Sequence, residues 1–430
     1  MAYALEILPP TGEEPPAKRL LGLSTALRLA LTAQAAGAAA IVAADPRIRT
    51  LLADARLTIP VVDARPSGTF VFRVPANLVV HRGLFAAARA KHGDRDWDVV
   101  EDPFTFEPPY GFQPILVVDK ATRGAATRAL LRSLRKPQDG WTSTYLNRHV
   151  SLFFTRFLVA TPLGPNQVSV GILGIGLAGA WLALHGTYLT LLAGAFLFQM
   201  QSILDGCDGE MSRLTFRGSK LGEWLDTIGD DITNYGFFTA SAWGIHRATG
   251  NPLYLVCGGV VLACGLLVSA IEYRYLIKIG SGDLLKYPLG VGSAPGCEGE
   301  PSAFDKYIAP LFKRDSFVFL TLVGAALGVL PVMLFAFAIG GVSILAAVLR
   351  AEMRMYRERR AGLHAGRVVG RGGSLAGRVA GRRCAGRELR RRPDILSMQC
   401  QRCAGRSCRR GWMSRFTAGG GSSSSLVGGG

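Results

Sequence analysis

Four aspartates, Asp205, Asp208, Asp226 and Asp230, fall within 26 residues where apolar sequence meets polar sequence, DGCDGEMSRLTFRGSKLGEWLDTIGD. Asp205 and Asp208 are three apart and Asp226 and Asp230 four apart, so on helices each pair shares a face. Gly222 extends the second line one turn earlier. Carboxylates gathered at the edge of a bilayer carry a desolvation cost unless positive charge compensates them. Hard divalent cations with oxygen ligands are the compensation their chemistry favours. An EF-hand loop is excluded, because DGCDGE offers neither D-x-D-x-D-G nor a Glu at the twelfth position. Solvated helix ends explain single acids, not a repeat at helical spacing across two apolar segments.

Helices must carry these pairs, and the surrounding sequence supplies them. Apolar runs occur at about 167–184, 186–204, 232–246, 252–273, 316–329 and 331–350. Several are shorter than the ~20 residues needed to span hydrocarbon, so their helices must extend into flanking sequence, as Leu221–Asp231 continues into the third. The pattern predicts an α-helical integral membrane domain of six transmembrane helices. Outer turns near His185, 246–251 and 329–331 hold one strong base, Arg247, whereas 274–315 holds Arg274, Lys278, Lys286, Lys306, Lys313 and Arg314. The positive-inside rule therefore predicts cytoplasmic termini and a cytoplasmic acidic cluster in an inner or plasma membrane. Before the first span, Val150, Phe153, Phe154, Phe157 and Leu158 fall on one helical face of Trp141–Ala160, with Arg148 and Arg156 elsewhere, which predicts a juxtamembrane amphipathic helix. Pro165-Asn166 then opens the first span, Pro being suited to a helix start.

Residues 1–140 read as an α/β cytosolic domain. Strands are expected at Tyr3–Leu8, Ala40–Ala43, Ile59–Val62, Thr69–Val74 and Ile115–Asp119, with helices at Ser24–Ala36 and Leu84–Lys91. Ser24 suits an N-cap and Gly37 a stop. Residues 1–20 offer no continuous apolar core of signal-peptide type.

The aspartate stretch, written D-x2-D-G-x2-S-R-x8-G-x3-D-x3-D, resembles the signature of the CDP-alcohol phosphotransferase (CDP-alcohol phosphatidyltransferase) family. Asp205, Asp208, Gly209, Arg213, Gly222, Asp226 and Asp230 stand at that family's spacing; Ser212 departs from its usual Ala, and Asp231 from the base that often follows. The resemblance implies a membrane transferase that moves a substituted phosphate from a CDP-alcohol to a hydroxyl acceptor and releases CMP. It implies two divalent cations, Mg²⁺ or Mn²⁺, at Asp205, Asp208, Asp226 and Asp230, with Asp230 as catalytic base. Asn166, Asp205, Gly209, Ser212, Arg213 and Gly222 would contact nucleotide, and a homodimer is implied. Arg217, Lys220, Arg274 and Lys278 are candidates for an anionic acceptor, although bases at this boundary also follow from topology.

The opening domain resembles a sugar-phosphate nucleotidyltransferase, which some relatives carry to make their CDP-alcohol. Its loop PPTGEEPPAKR has a single Gly where phosphates need close backbone approach, Lys18 remains, and Arg73-Val74-Pro75-Ala76-Asn77 lacks a metal-binding Asp. It is therefore expected to be degenerate. The fusion, with DGCDGE, points to transfer from CDP-inositol to inositol phosphate. A CDP-diacylglycerol-dependent enzyme of phospholipid biosynthesis and, outside enzymes, a cation-coupled membrane transporter are the alternatives; transport would favour acids at mid-span.

Composition divides the chain into 1–140, a membrane domain at 141–350 and an Arg/Gly-rich tail at 351–430. The tail carries 18 Arg, no Lys and four acids, so most of the net +18 lies there and nucleic-acid binding by the folded part is not implied. Its Gly/Arg/Ser bias is that of disorder. Cys207, Cys257, Cys264 and Cys297 are expected as thiols, and the C-x2-C of Cys400 and Cys403 lacks the apolar neighbours of a zinc module.

Overall fold

The run YALEIL is apolar on both faces, the pattern of a strand covered on both sides. In the computed structural model, which describes residues 3–12, 17–102, 112–135, 142–289 and 313–372, Tyr3–Leu8 is the central strand of a five-stranded parallel sheet. The order is Val61–Val62, Ala40–Val42, Tyr3–Leu8, Phe70–Pro75, Trp97–Asp98. Register pairs Tyr3 with Phe70 and Leu5 with Phe72, which brings the Tyr3 and Phe72 rings to 4.8 Å. Helices α1 (Thr25–Ala35), α2 (Pro46–Leu52) and α3 (Leu84–His92) accompany the sheet around a core that includes Leu29, Ile41, Ile48, Phe72 and Phe85. The Ser24 hydroxyl caps α1 through Leu27 N, and Gly37 follows it at φ +83°. Ile115–Leu116 leaves this sheet and pairs antiparallel with Leu78–Val79 before α4 (Lys120–Arg132). Trp97–Asp98, a strand of two residues, has no periodic signature in the sequence.

Beyond this the described residues hold seven α-helices: α5 (Arg148–Leu158), α6 (Pro165–Ala183), α7 (Tyr188–Thr215), α8 (Lys220–Thr249), α9 (Leu253–Ile279), α10 (Arg314–Ala326) and α11 (Leu330–Gly372). The six apolar runs fall in α6 to α11. Among the described residues four segments are long and apolar enough to cross a membrane: Pro165–Ala183, Tyr188–Thr215, Leu253–Ile279 and Leu330–Arg357. They expose Trp181, Phe196, Val256, Leu266 and Ile339, an outward apolar surface that lipid would cover. Helix α8 has the length, but its first three turns carry Lys220, Glu223, Asp226, Asp230 and Asp231; α10 has 13 residues. Gly179 and Gly194 let α6 and α7 meet, since a Cβ on Gly194 would stand 2.6 Å from the Gly179 carbonyl oxygen. The Phe198 and Phe237 rings stack at 4.6 Å across α7 and α8.

Residues 1–360 are one compact unit and 361–430 another. Of the latter, only the helix to Gly372 is described, so Cys384, Cys400, Cys403, Cys408 and most of the tail lie outside the described residues, as does Cys297. Cys207, Cys257 and Cys264 are free thiols. Within the first unit, Leu20, Val79, Val117, Ala126 and Leu130 of the amino-terminal part share one apolar core with Val159, Ile172, Met211 and Leu214 of the helices.

Candidate active site

The aspartate stretch is a helix–turn–helix. Asp205 and Asp208 sit near the end of α7, Asp226 and Asp230 near the start of α8, and residues 216–219 turn between them. Ser219 begins α8 by accepting from Gly222 N at 3.0 Å. Asn166, in the first turn of α6, sets its Oδ1 3.4 Å from the Ser219 hydroxyl. A Cβ on Gly222 would stand 2.9 Å from that oxygen, so α6 and α8 approach because position 222 lacks a side chain.

Carboxylate oxygens of Asp205, Asp226 and Asp230 all lie within 4.8 Å of one another. Asp208 stands apart from that trio: its carboxylate accepts from the Ser169 hydroxyl of α6 and from Gly209 N. The guanidinium of Arg314, the first residue of α10, lies 3.0 Å from Asp205 and 2.7 Å from Asp230, and donates to Gln201 at 2.8 Å. Asp230 Oδ1 is buried without a hydrogen-bond partner among the described residues. A converging trio of oxygen donors and one orphaned buried carboxylate oxygen fit a hard divalent cation.

These groups open on a cavity of about 790 Å³. Asn166, Asp205, Asp208, Gly209, Ser212, Arg213, Gly222, Asp226 and Asp230 line it, and Arg217 and Lys220 stand on its wall. Arg274 and Lys278 are exposed on α9, away from the lining. Asp315, Arg148, Ser169 and Asp283 also line it.

Three supporting contacts were not read from the sequence. Glu210, fully buried in α7, accepts from Arg148 (2.8 Å), Ser151 (2.8 Å) and Thr155 (2.6 Å), so α5 is fastened to the motif helix. Arg148 thus faces inward, while Phe153, Phe154 and Phe157 remain exposed on the opposite face. Glu223 accepts from Gly282 N at 3.1 Å and ties the end of α9 to α8. Arg314 figured only as a loop base; what marked it was its position before the polar start of an apolar run.

Residues 163–283 match the family model described as CDP-alcohol phosphatidyltransferase. A protein named bifunctional IPC transferase and DIPP synthase from Aquifex aeolicus is 38% identical over 104 residues, 24% of this chain and 23% of that one. Proteins of the same name from Thermococcus kodakarensis and Archaeoglobus fulgidus are 32% identical over 151 residues (35% and 33% of the two chains) and 31% over 163 (38% and 31%). The matches span about a quarter to a third of the length of these relatives. The crystal structure of Mycobacterium tuberculosis phosphatidylinositol phosphate synthase with CDP-DAG bound is 21% identical, covering 47% of this chain and 93% of that one, with a TM-score of 0.37. Residues 163–283, which hold α6 to α9 and all four aspartates, are thus the part of this chain that is similar to the CDP-alcohol phosphatidyltransferase family.

Proposed function

We propose that this protein is a membrane CDP-alcohol phosphotransferase, moving a substituted phosphate from a CDP-alcohol to an acceptor hydroxyl with release of CMP. The observation that carries the reading is the carboxylate trio of Asp205, Asp226 and Asp230 at a polar cavity of about 790 Å³ inside the matched domain. Asp205, Asp208, Asp226 and Asp230 would hold two divalent cations, Mg²⁺ or Mn²⁺, which neutralise the pyrophosphate and the departing CMP oxygen when bound. Asp230, with its unpartnered Oδ1, takes the proton of the acceptor hydroxyl. Arg213 offers forked hydrogen bonds to phosphate, and Asn166, Gly209, Ser212 and Gly222 flank the nucleotide. Arg217 and Lys220 present positive charge to an anionic acceptor from the cavity wall.

For the substrate, the relatives' printed names support transfer between CDP-inositol and inositol phosphate, with a CDP-diacylglycerol-dependent phospholipid synthase as second reading. The domain plan is 1–140 cytosolic and nucleotidyltransferase-like, 141–350 membrane-bound with six spans and α5 on the surface, and 351–430 a tail. Both termini and the cavity face the cytoplasm, and two copies form the dimer. The exposed Phe153, Phe154 and Phe157 support the surface placement of α5.

The test is CMP release by the purified full chain in detergent with Mn²⁺, offered CDP-inositol with inositol 1-phosphate or CDP-diacylglycerol with inositol phosphate. Release from the first pair is expected. Release from the second alone selects the lipid synthase. Release from neither sinks the enzyme reading in favour of transport.

A further inference from the structure

Helix α7 ends at Thr215, leaving its last carbonyls without helical partners at the negative end of the helix dipole. Two arginines of the amino-terminal part occupy that end. Arg28, buried in α1, donates Nη1 to the Leu214 carbonyl at 2.8 Å and Nη2 to the Leu20 carbonyl at 2.8 Å. Arg56 donates Nη1 to the Thr215 carbonyl at 2.7 Å. Asp54 aims it by a forked pair of 2.7 and 2.6 Å, and those bonds hold the Asp54 carboxyl down at about 2. The next residue, Phe216, adopts the left-handed region at φ +54°, which a bulky residue rarely does. Its ring packs with Leu23, Leu27 and Leu31, a cluster that Leu57 also joins. Gly22, at φ +82°, admits no Cβ, which would meet Val159 at 2.9 Å and Thr215 at 3.7 Å. Immediately downstream, Arg217, Gly218, Ser219 and Lys220 form part of the cavity wall.

We propose that the amino-terminal domain is a clamp on the turn joining the two halves of the aspartate stretch, with Arg28 and Arg56 as positioning residues for the cavity. The clamp fixes where α8 starts relative to α7, and hence where Asp226 and Asp230 stand against Asp205. The substrate-related part of this inference rests on the phosphotransferase reading; the clamp itself rests only on these contacts. It gives the amino-terminal domain a use that needs no chemistry of its own.

The test compares the full chain in detergent with Arg28→Ala/Arg56→Ala, the paired Arg→Lys variant, and Arg56→Ala alone should the double variant not fold. Amide hydrogen exchange over 216–222 should accelerate about tenfold in the alanine variants, with α4 unchanged, because hydrogen bonds from charged donors are worth at least that factor. The kcat/KM for the CDP-alcohol per folded molecule should fall by about the same factor, because Asp226 and Asp230 move with the start of α8. Lysine should recover part of both, retaining the charge and losing the fork. Unchanged exchange over 216–222 in a folded alanine variant overturns the clamp. Accelerated exchange with an unmoved kcat/KM overturns the positioning role. Absence of CMP release by the parent protein refutes the phosphotransferase reading alone, since the exchange measurement still decides the clamp.

Discussion

Two crevices in this chain differ in how their polar groups are satisfied. In a doubly wound sheet the natural ligand site is the carboxyl edge where strand order reverses, here between Tyr3–Leu8 and Phe70–Pro75. At that edge the protein's own Asn77, buried, accepts from Thr11 N at 3.1 Å and donates to the carbonyls of Thr11 (2.6 Å) and Val117 (2.9 Å). The acidic cavity is the reverse. Its carboxylates converge, Asp230 Oδ1 has no partner among the described residues, and a volume of about 790 Å³ lies in front of them. A crevice that satisfies itself adds stability, whereas one that leaves buried acceptors open gives up stability for a ligand. The amino-terminal edge satisfies its own amide, whereas the helical cavity leaves a buried carboxylate oxygen open.

The sharpest way to break that contrast is Asp226→Ala. Asp226 is exposed, so its loss should leave the melting temperature unchanged or raised as like charges are relieved. CMP release should fall by roughly a thousandfold or more, with Mn²⁺ binding lost. Retained turnover would remove the metal role from the trio. Glu210→Ala acts on the frame of the same cavity. It takes the Glu210 carboxylate away from a buried guanidinium, that of Arg148, a cost of about 3–5 kcal/mol read by denaturant unfolding in detergent. Glu210→Gln, which keeps one acceptor oxygen and turns an NH2 toward the remaining hydroxyl, should cost less; equal costs would show that the charge pair with Arg148 carries the whole effect and the hydroxyl bonds none.

The cavity was legible where its geometry is local. Spacings of three and four are properties of a helix, so Asp205 with Asp208 and Asp226 with Asp230 followed from residue order, as did the backward extension of the third apolar run to Leu221, one residue short of the observed start at Lys220. The sheet was legible from four apolar runs and one N-cap, but a two-residue strand such as Trp97–Asp98 leaves no period to read. What joins distant segments left no trace. Arg314 reaches Asp205 across 109 residues and Arg28 reaches Leu214 across 186, and both are bases in sequence contexts where topology or solvation explains a base. Glu210 is different: an acid inside an otherwise apolar helix needs a partner, and Arg148 lay in the amphipathic segment Trp141–Ala160, placed there only as off the apolar face. The physical reason for the miss is that burial, not periodicity, decides which side of such a helix faces the protein.

Asn77→Ala probes the other crevice and should reverse the Asp226 result. It strips three hydrogen bonds from a buried site, exposing Thr11 N and two carbonyls to an unsatisfied environment, which costs about 1–3 kcal/mol. Turnover per folded molecule should hold within a few-fold, because Asn77 touches none of the cavity lining. A melting temperature unmoved by the substitution would mean that the crevice is not held shut by this side chain.

The smallest expected effect is a null one, and it bears most directly on why the two crevices diverged. A cytidylyltransferase must cradle triphosphate on backbone N–H groups and place a metal-binding acid beside it. At this sheet edge the Thr11 N–H is already donated to Asn77, and the place at the end of Phe70–Pro75 belongs to an amide whose two N–H bonds are both committed to carbonyls. An amide that donates twice to the backbone repels no cation, yet it offers none a charged ligand. Incubating the full chain with CTP, Mg²⁺ and inositol 1-phosphate should therefore release no pyrophosphate above a Lys18→Ala control. Asn77→Asp should not create activity either, since a carboxylate there would face the Thr11 and Val117 carbonyls and lose both donated bonds. Pyrophosphate release by the parent protein that disappears in Lys18→Ala would show that the self-satisfied edge opens to nucleotide, and would erase the distinction between the two crevices.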